Sequence, residues 1–575
     1  MKKITKALNL ILACVVGLGA LSFVGCGDEK NKDIDPTKTQ LEINHYLGGV
    51  GNAWLYDVKK RFEAAYSDYQ GVNGKVGVEV RINDQKKDGE ALFTELGTTS
   101  DEIFFTDKSK LYDMVLSDYV LDISSVVTEQ NADGKTIESK LTDQQKSYFK
   151  MDGKYYALPH YESFGGLTYN VNIFNDYELF FAKGGCPSEF CAFTQSNNED
   201  KATRNFTGSF KVEDYRYTGE NGVKSAGPDG KYGTYDDGLP ATYDEFFVLC
   251  DKMKGDVTPF IWSGQFGKAY MNYLFSALYA DYEGSEVKTA FDFNGTLTHI
   301  VKSVNGDVVE FEPATEINNE NGYLAFQSAG YYYSLKFVER MLSDTDYYSA
   351  NLNSNAHSHT QAQIDYVLSE FDQKFNQNGK PIAMLVEGSY WENEAKDYGV
   401  FDRVKKYGKS AADCRYAYMP VPKVSEELVG TKCTTGEGLG NIAFISSKIA
   451  SEKVDLAKKF LMFCYTDESL DKFTQISGVR RAIKYDVSAT DSLSNYAKSI
   501  VDLKKSENTD VIYMVSDNPL YLQNQSYFSY RYSSEYDTYA LVPLKDGKTA
   551  LQVFNKICEK RSQSAWKAQF NKYFS

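Results

Sequence analysis

Apolar and polar positions change rhythm along this chain, and the changes divide it. From Ala7 to Val24 apolar and small residues run nearly unbroken, with Asn9 and Ser22 as the exceptions. Residues 27–38 are charged and carry no apolar period. Order begins at Thr39. Leu41, Ile43, His45 and Leu47 alternate with Glu42, Asn44 and Tyr46, which predicts a strand. Gly48, Gly49 and Gly51 break it. Asn52 then stands as the N-cap of a helix in which Trp54, Leu55, Val58, Phe62 and Ala65 share one face. Val76, Val78, Val80 and Ile82 alternate again. A helix over 89–98, a short strand over 101–105 and a helix opening at Leu111 follow. Strands that alternate with helices imply crossover connections, parallel pairing and an α/β lobe.

Residues 152–170 hold two strand-like pieces separated by Pro159 and Gly165-Gly166. Residues 184–238 are rich in Gly, Asn, Asp and Ser, lack a period, and are expected to be an insertion. Thr242-Tyr-Asp-Glu245 has the spacing of a capping box and opens a helix with Phe246, Phe247, Leu249, Cys250 and Met253 inward. Strand and loop over 259–263, a helix over 270–279 and a β-rich addition over 283–320 come next. Helices are expected over 325–342 and 360–373, and strands over 383–386, 417–421 and 441–446. Cys433–Gly440 carries three glycines and predicts a flexible loop. Two helices over 452–464 and 467–476 follow, the second opened by Thr466 and stopped at Gly478. Residues 486–575 are expected to be mostly helical.

The opening run acquires a meaning from its flanks. Lys2, Lys3 and Lys6 precede it and Gly25-Cys26 ends it. A basic head, an apolar middle and a small residue before the cut form the layout of a secretory leader. With Cys directly after the small residue, the segment resembles a bacterial lipoprotein leader. That resemblance implies acylation of Cys26, a mature chain starting there, and a stalk over 26–38. The alternative is a transmembrane anchor, for which the run is at the short end of the roughly 17–25 residues required. Either way the body is expected on the outer face of the cytoplasmic membrane. The net charge is −16 and the leader holds three Lys and no acid, so the body is more acidic still. Such a charge excludes nucleic acid as a partner and leaves the lipid as the only membrane tether.

The 44 Tyr and 35 Phe are far from ordinary. Tyr couples an apolar face to a polar tip and suits wet recognition surfaces. With Cys26 lipidated, the body keeps an odd number of cysteines, which rules out a complete disulfide framework. Cys186 and Cys191 have loop spacing that permits a pair, whereas Cys250 and Cys464 sit on apolar helix faces as buried thiols. No HExxH, GxSxG, GxxxxGK[ST] or CxxC spacing occurs. His357 and His359 lack partners at ligand spacing and read as solvated loop histidines. Asp229, Asp236 and Asp237, among glycines, are candidate ligands of a structural Ca²⁺, with a plain surface turn as the other reading. No other cofactor is expected.

Several segments occur together in order. They are the leader, the opening strand–glycine–helix, Tyr156-Ala-Leu-Pro159 with Leu167-Thr-Tyr-Asn170, Ala383–Trp391, Lys459–Thr466, and Ser477–Ala482. Over nearly the whole body the chain resembles the extracellular solute-binding proteins of ABC sugar importers, the maltose-binding-protein-like group. The resemblance implies an α/β, two-lobed, type II periplasmic-binding-protein-like fold, each lobe a mixed sheet flanked by helices, with insertions in the second. It implies a first lobe over 39–165 plus 430–485 and a second over 166–429 plus 486–575. It also implies no enzymatic activity, a carbohydrate ligand, an ABC permease as partner, and a monomer. A lipid-anchored glycan-degrading enzyme and the same fold binding a peptide are the alternatives.

Ligands of α/β sheets sit beyond the carboxyl ends of the strands. That rule selects Tyr46 and Trp54 after the first strand, Asp107 after the third, Tyr161 and Glu162 at the first crossing between lobes, and Trp262. It also selects Tyr390 and Trp391. Glu437, between glycines, completes the candidate set. Aromatic faces match the C–H faces of sugars, and fixed carboxylates match their hydroxyls.

Overall fold

The computed structural model describes residues 34–107, 109–184, 211–306, 308–523 and 540–574. Cys26, Cys186 and Cys191 lie outside the described residues. The two main sheets use β1 (Thr39–Asn44), β2 (Val78–Asn83), β3 (Ile103–Thr106), β4 (Leu158–Pro159), β5 (Gly165–Asn170), β6 (Thr258–Ile261), β7 (Ile382–Gly388), β8 (Tyr416–Met419) and β9 (Ile442–Ile445). The helices that position the site are α1 (Ala53–Ala65), α2 (Gly267–Glu283), α3 (Glu286–Asp292), α4 (Ala329–Leu342), α5 (Trp391–Asp397), α6 (Val454–Cys464), α7 (Asp467–Ser477) and α8 (Asn495–Lys505).

The first sheet has the order β2-β1-β3-β9-β4. β1 is parallel to β2 and β3, and β9 runs antiparallel to β3 and β4. The alternation in the sequence fixes the register: Leu41 pairs with Val80 and Ile43 with Ile82, all buried. On the other face Glu42 meets Arg81 at 3.1 Å. α1 covers this sheet with Trp54, Leu55, Val58 and Phe62. The second sheet has the order β6-β7-β5-β8, with β6 parallel to β7 and β5 antiparallel to both β7 and β8. All seven residues of β7 are buried. A strand covered on both faces reads as a continuous apolar run rather than an alternation, and Ile382–Val386 does so.

Three local expectations change. Asn52 precedes α1 but makes no side-chain cap; its carboxamide oxygen goes instead to Nδ1 of His45 at 2.6 Å. Thr242 does accept the amide of Glu245, but the Glu245 carboxylate turns to the amide of Ala241, leaving half of the capping box. Cys433–Glu437 is not a loop: it is a buried strand, paired in parallel with Thr509–Tyr513. A glycine-rich sequence there reflects close packing, since a Cβ on Gly436 would sit 2.8 Å from that of Ala280 in α2. The strand therefore packs against α2, just before the chain crosses to β9.

The chain passes between sheets three times: over 160–164, over 438–441, and between Ser477 and Asn495. The passages are stitched together. The amide of His160 donates to Asn441 at 2.8 Å, that of Gly438 to Ser163 at 3.2 Å, and that of Glu162 to Arg480 at 2.9 Å. Of the five free cysteines among the described residues, 250, 414, 433 and 464 are buried and 558 is half-buried.

Candidate functional site

The carboxyl ends of β1, β3 and β7 meet at the junction of the two lobes. Tyr46 lies two residues past β1 and donates its hydroxyl to Oδ2 of Asp107, one residue past β3, at 2.9 Å. Tyr161, in the first passage, packs edge-on against Tyr390, just past β7, with ring centres 6.1 Å apart. The Tyr390 hydroxyl is 2.9 Å from that of Tyr273 in α2. The loop after β1 reaches across: Nδ2 of Asn393 in α5 donates to the carbonyl of Gly49 at 3.0 Å. Gly51 has φ +61°, and a Cβ there would lie 2.1 Å from a carboxylate oxygen of Asp397. Only glycine satisfies both the left-handed backbone and the close approach. Gly165 permits a close approach on the other side, where a Cβ would fall 2.0 Å from that of Tyr273.

Carboxyl groups frame these rings. Gln363 donates to Glu387 at 3.3 Å and to Glu394 at 3.0 Å, and the second oxygen pair of the junction belongs to Asp107. Burial, reinforced by the neighbouring Glu394, pushes the Glu387 carboxyl well above the usual carboxylate range. Burial also raises the phenols of Tyr46, Tyr161 and Tyr390 well above 10, and that of Tyr273 to about 12. At neutral pH every one of these hydroxyls keeps its proton and acts as donor and acceptor. The junction thus offers ring faces, neutral hydroxyls and carboxyls from both lobes. That mixture suits a polyhydroxylated, uncharged molecule.

The other candidates are placed differently. Trp391 is fully buried among Tyr366, Tyr416 and Tyr496, with ring centres 5.1–5.7 Å away. Trp262, 1% exposed, packs with Phe260 and Tyr348. Trp54, also 1% exposed, lies 4.4 Å below the Arg481 guanidinium and 5.0 Å from Phe105. These three indoles offer no face to a ligand, which corrects the expectation that they stack on it. They stand at the start of a helix or the end of a strand, where one residue in either direction decides between cleft and interior. Glu162 and Glu437 are also reassigned, because buried cations claim them. Glu162 holds Arg480 at 3.2 Å and Glu437 is ion-paired with Lys504. Burial pulls Lys504 down to about 8, against the opposing influence of Glu162. The Glu162–Arg480 pair joins the first and third passages, and the Glu437–Lys504 pair ties the strand Cys433–Glu437 to α8.

Tyr46, Tyr161, Tyr390 and Asp107 are therefore brought together, and Tyr273, Glu387, Asn393 and Glu394 join them without having been foreseen. Glu387 was legible, being the last polar residue of a strand that ends beside Tyr390. Tyr273 carried no signal, since helical tyrosines are common here. His357 corrects the reading of solvated histidines: it is buried, with Nε2 2.8 Å from Asp365. Asp229 and Asp236 are 1% and 0% exposed. The Thr234 hydroxyl lies 3.4, 2.7 and 3.3 Å from Oδ1 of Asp229, Asp236 and Asp237. Their other oxygens accept from Asn508, from the amide of Asp229 and from the amide of Gly233. A Ca²⁺ would compete with these donors. Burial and the adjacent Asp229 raise Asp236 to about 7. An open depression on the insertion, lined by Lys183, Glu220, Lys224, Tyr232 and Asp237, shares no residue with the junction.

No family model and no curated protein matches the chain. Among solved structures it is similar to a chitin oligosaccharide binding protein, at 15% identity and TM-score 0.52, over 92% of this chain and 99% of that one. It is similar to RafE in complex with raffinose, at 12% identity and TM-score 0.53, over 93% and 100%. A third is BlMnBP1, a binding protein of an ABC transporter from Bifidobacterium animalis subsp. lactis, in complex with mannobiose. It shows 12% identity and TM-score 0.51, over 93% of this chain and 95% of that one. These likenesses give the fold: α/β, two-lobed, of the type II periplasmic-binding-protein kind.

Proposed function

We propose that this chain is an extracellular solute-binding protein of the ABC sugar-importer group. It captures a carbohydrate, most simply an oligosaccharide, between its lobes and delivers it unaltered to a membrane permease. The observation that carries the reading is the junction itself. Tyr46, Asp107 and Tyr161 from one lobe face Tyr273, Glu387, Tyr390 and Glu394 from the other, across a hinge of three passages. The similar binding proteins of chitin oligosaccharide, raffinose and mannobiose support a glycan ligand.

The mechanism follows from differential affinity. In the arrangement described, the junction groups satisfy one another: Tyr46 with Asp107, Tyr273 with Tyr390, Asn393 with Gly49. A sugar must replace those contacts, with its hydroxyls taking the carboxyl and phenol partners and its C–H faces meeting Tyr161 and Tyr390. A ligand that touches both lobes binds the closed state better than the open one and so shifts the equilibrium. The permease then reads closure.

We further propose that acylated Cys26 holds the body at the outer membrane face. No helix among the described residues is long and apolar enough to cross a membrane. The test is a thermal-shift and calorimetry screen of the purified body against chito-, manno-, malto- and raffinose-series oligosaccharides, with the ligand re-analysed by chromatography. A raised Tm with intact ligand is expected. A panel that leaves Tm unchanged, or the appearance of new reducing ends, overturns the reading. For the anchor, Cys26→Ala is expected to move the protein from the membrane fraction to the medium.

A further inference from the structure

The β-rich addition over 283–320 carries chemistry that ligand capture does not use. α2 ends at Glu283 and α3 begins at Glu286, with the left-handed Gly284 between them. His299 lies between the short strands Gly295–Leu297 and Val301–Asn305. One carboxylate oxygen of Glu283, one of Glu286 and one ring nitrogen of His299 lie within 4.8 Å of one another. Three elements distant from the lobe junction thus converge on one point.

The polar atoms around this point are not in balance. Glu283 is 5% exposed. Its Oε1 accepts the amide of Gly330 at 2.6 Å, but its buried Oε2 makes no hydrogen bond of normal geometry, and the buried Ser328 hydroxyl beside it, the one side chain placed to approach it, makes none either. Buried polar atoms are otherwise almost always paired, so an orphan of this kind calls for a water or an ion. Among the described residues neither Glu283 nor Glu286 is ion-paired to Lys or Arg. A cation placed between these two carboxyl groups and the imidazole gives the unpaired Glu283 oxygen a partner. The C-terminus of α2, a helix of 17 residues, adds its negative end to the same field.

The surroundings are also organised as the outer layer of a metal site is. The Thr298 hydroxyl donates to Glu286 and lies 3.2 Å from Nδ1 of His299. Its amide donates to the other Glu286 oxygen at 2.8 Å. Such contacts orient ligating groups before the ion arrives. The His299 ring is further fixed by Tyr282 and Phe311, with ring centres 5.4 Å from it in each case.

We propose that Glu283, Glu286 and His299 form a binding site for a divalent transition metal, Zn²⁺ in particular. Imidazole with carboxylates favours Zn²⁺ over Ca²⁺ or Mg²⁺, which take oxygen ligands. Tetrahedral Zn²⁺ with ligands at about 2.0–2.1 Å sets their mutual separation near 3.3 Å. The three groups therefore draw together slightly, and water takes the fourth position. The ion fastens the β-rich addition to α2 and to the start of α4. It rests on observations separate from those behind sugar capture.

The test uses the full body, stripped with chelator and then dialysed against Zn²⁺ alone, with bound metal counted by elemental analysis and Tm recorded. Wild type is expected to retain one more Zn²⁺ per chain than His299→Ala, and to gain Tm that the variant does not. His299 is partly exposed, so this variant is expected to fold. Glu286→Gln supplies a second variant and is expected to weaken Zn²⁺ retention at least tenfold. Co²⁺ in place of Zn²⁺ is expected to give a visible ligand-field band in wild type that His299→Ala lacks. Equal Zn²⁺ counts and equal Co²⁺ spectra in wild type and His299→Ala overturn the proposal, as does a wild type that retains no Zn²⁺. Sugar binding is unaffected by either result, so failure here is distinguishable from failure of the ligand reading.

Discussion

Tyr390 and Trp391 are neighbours in the chain and belong to different parts of the molecule. Tyr390 points into the lobe junction, where its hydroxyl meets Tyr273 and its ring meets Tyr161. Trp391 points the opposite way, into an interior closed by Tyr366, Tyr416 and Tyr496. The same contrast separates Tyr46 from Trp54 around the first strand. A phenol carries a group that can donate and accept at the rim of a cleft. An indole carries one donor and a larger apolar area, so it lowers the free energy more by full burial. At these two places the indole builds the lobe and the phenol faces the junction.

The comparison makes specific demands. The largest effect is expected for Trp391→Ala, which leaves a cavity in a closed interior and lowers stability by about 4 kcal/mol. Denaturant unfolding measures it. A loss below 1 kcal/mol, together with weakened sugar binding, would move Trp391 back to the ligand site.

Acid should act through the interior next. His45 and His160 are fully buried, 3.0 Å apart at Nε2, beside the buried Arg481. Burial lowers His45 from 6.5 to about 4. The unfolded chain binds that proton below pH 6.5 and the folded chain only below about 4, so stability is complete above pH 6.5 and falls as pH drops toward 4. Two and a half pH units correspond to about 3 kcal/mol from His45. Unfolding midpoints across this range check it, and His45→Gln is expected to flatten the slope.

The hinge lies between the two classes and should show both behaviours. Glu162→Gln leaves Arg480, itself buried, without its carboxylate, at a cost of about 2 kcal/mol. Because the pair joins two passages, sugar affinity is expected to change as well. The smallest effect belongs to the junction. Tyr161→Phe keeps the ring and removes one hydroxyl, so affinity for the sugar found in the screen falls by about 1 kcal/mol, or five- to tenfold. Its unfolding midpoint is expected to stay close to wild type, which is the sharpest contrast with Trp391→Ala.

Much of the architecture was legible from spacing. The alternation of Leu41 and Ile43 with Val78, Val80 and Ile82 predicts the β1–β2 pair, and Thr466 with Gly478 brackets α7. Spacing is a local property, and the errors arise where distant segments meet. Thr509–Tyr513 was expected to be helical because nothing near it announces that Cys433–Glu437 lies alongside. The site follows the same rule. The strand-end rule selects Tyr46, Asp107 and Tyr390, which the structure brings together, because the position of each depends on one element. The ion pairs of Glu162 and Glu437 were not foreseen because Arg480 and Lys504, which hold them, are 318 and 67 residues away. No pattern in the sequence states which carboxylate a remote cation will claim.

The paired strands Cys433–Glu437 and Thr509–Tyr513 also determine where the molecule can bend. A single extended segment linking two bodies would flex anywhere along its length. Here a second strand from the tail splints it for five residues. In this passage bending is thereby left to Gly438-Leu439-Gly440, and residues 160–164 and 478–494 must turn with it in the other two.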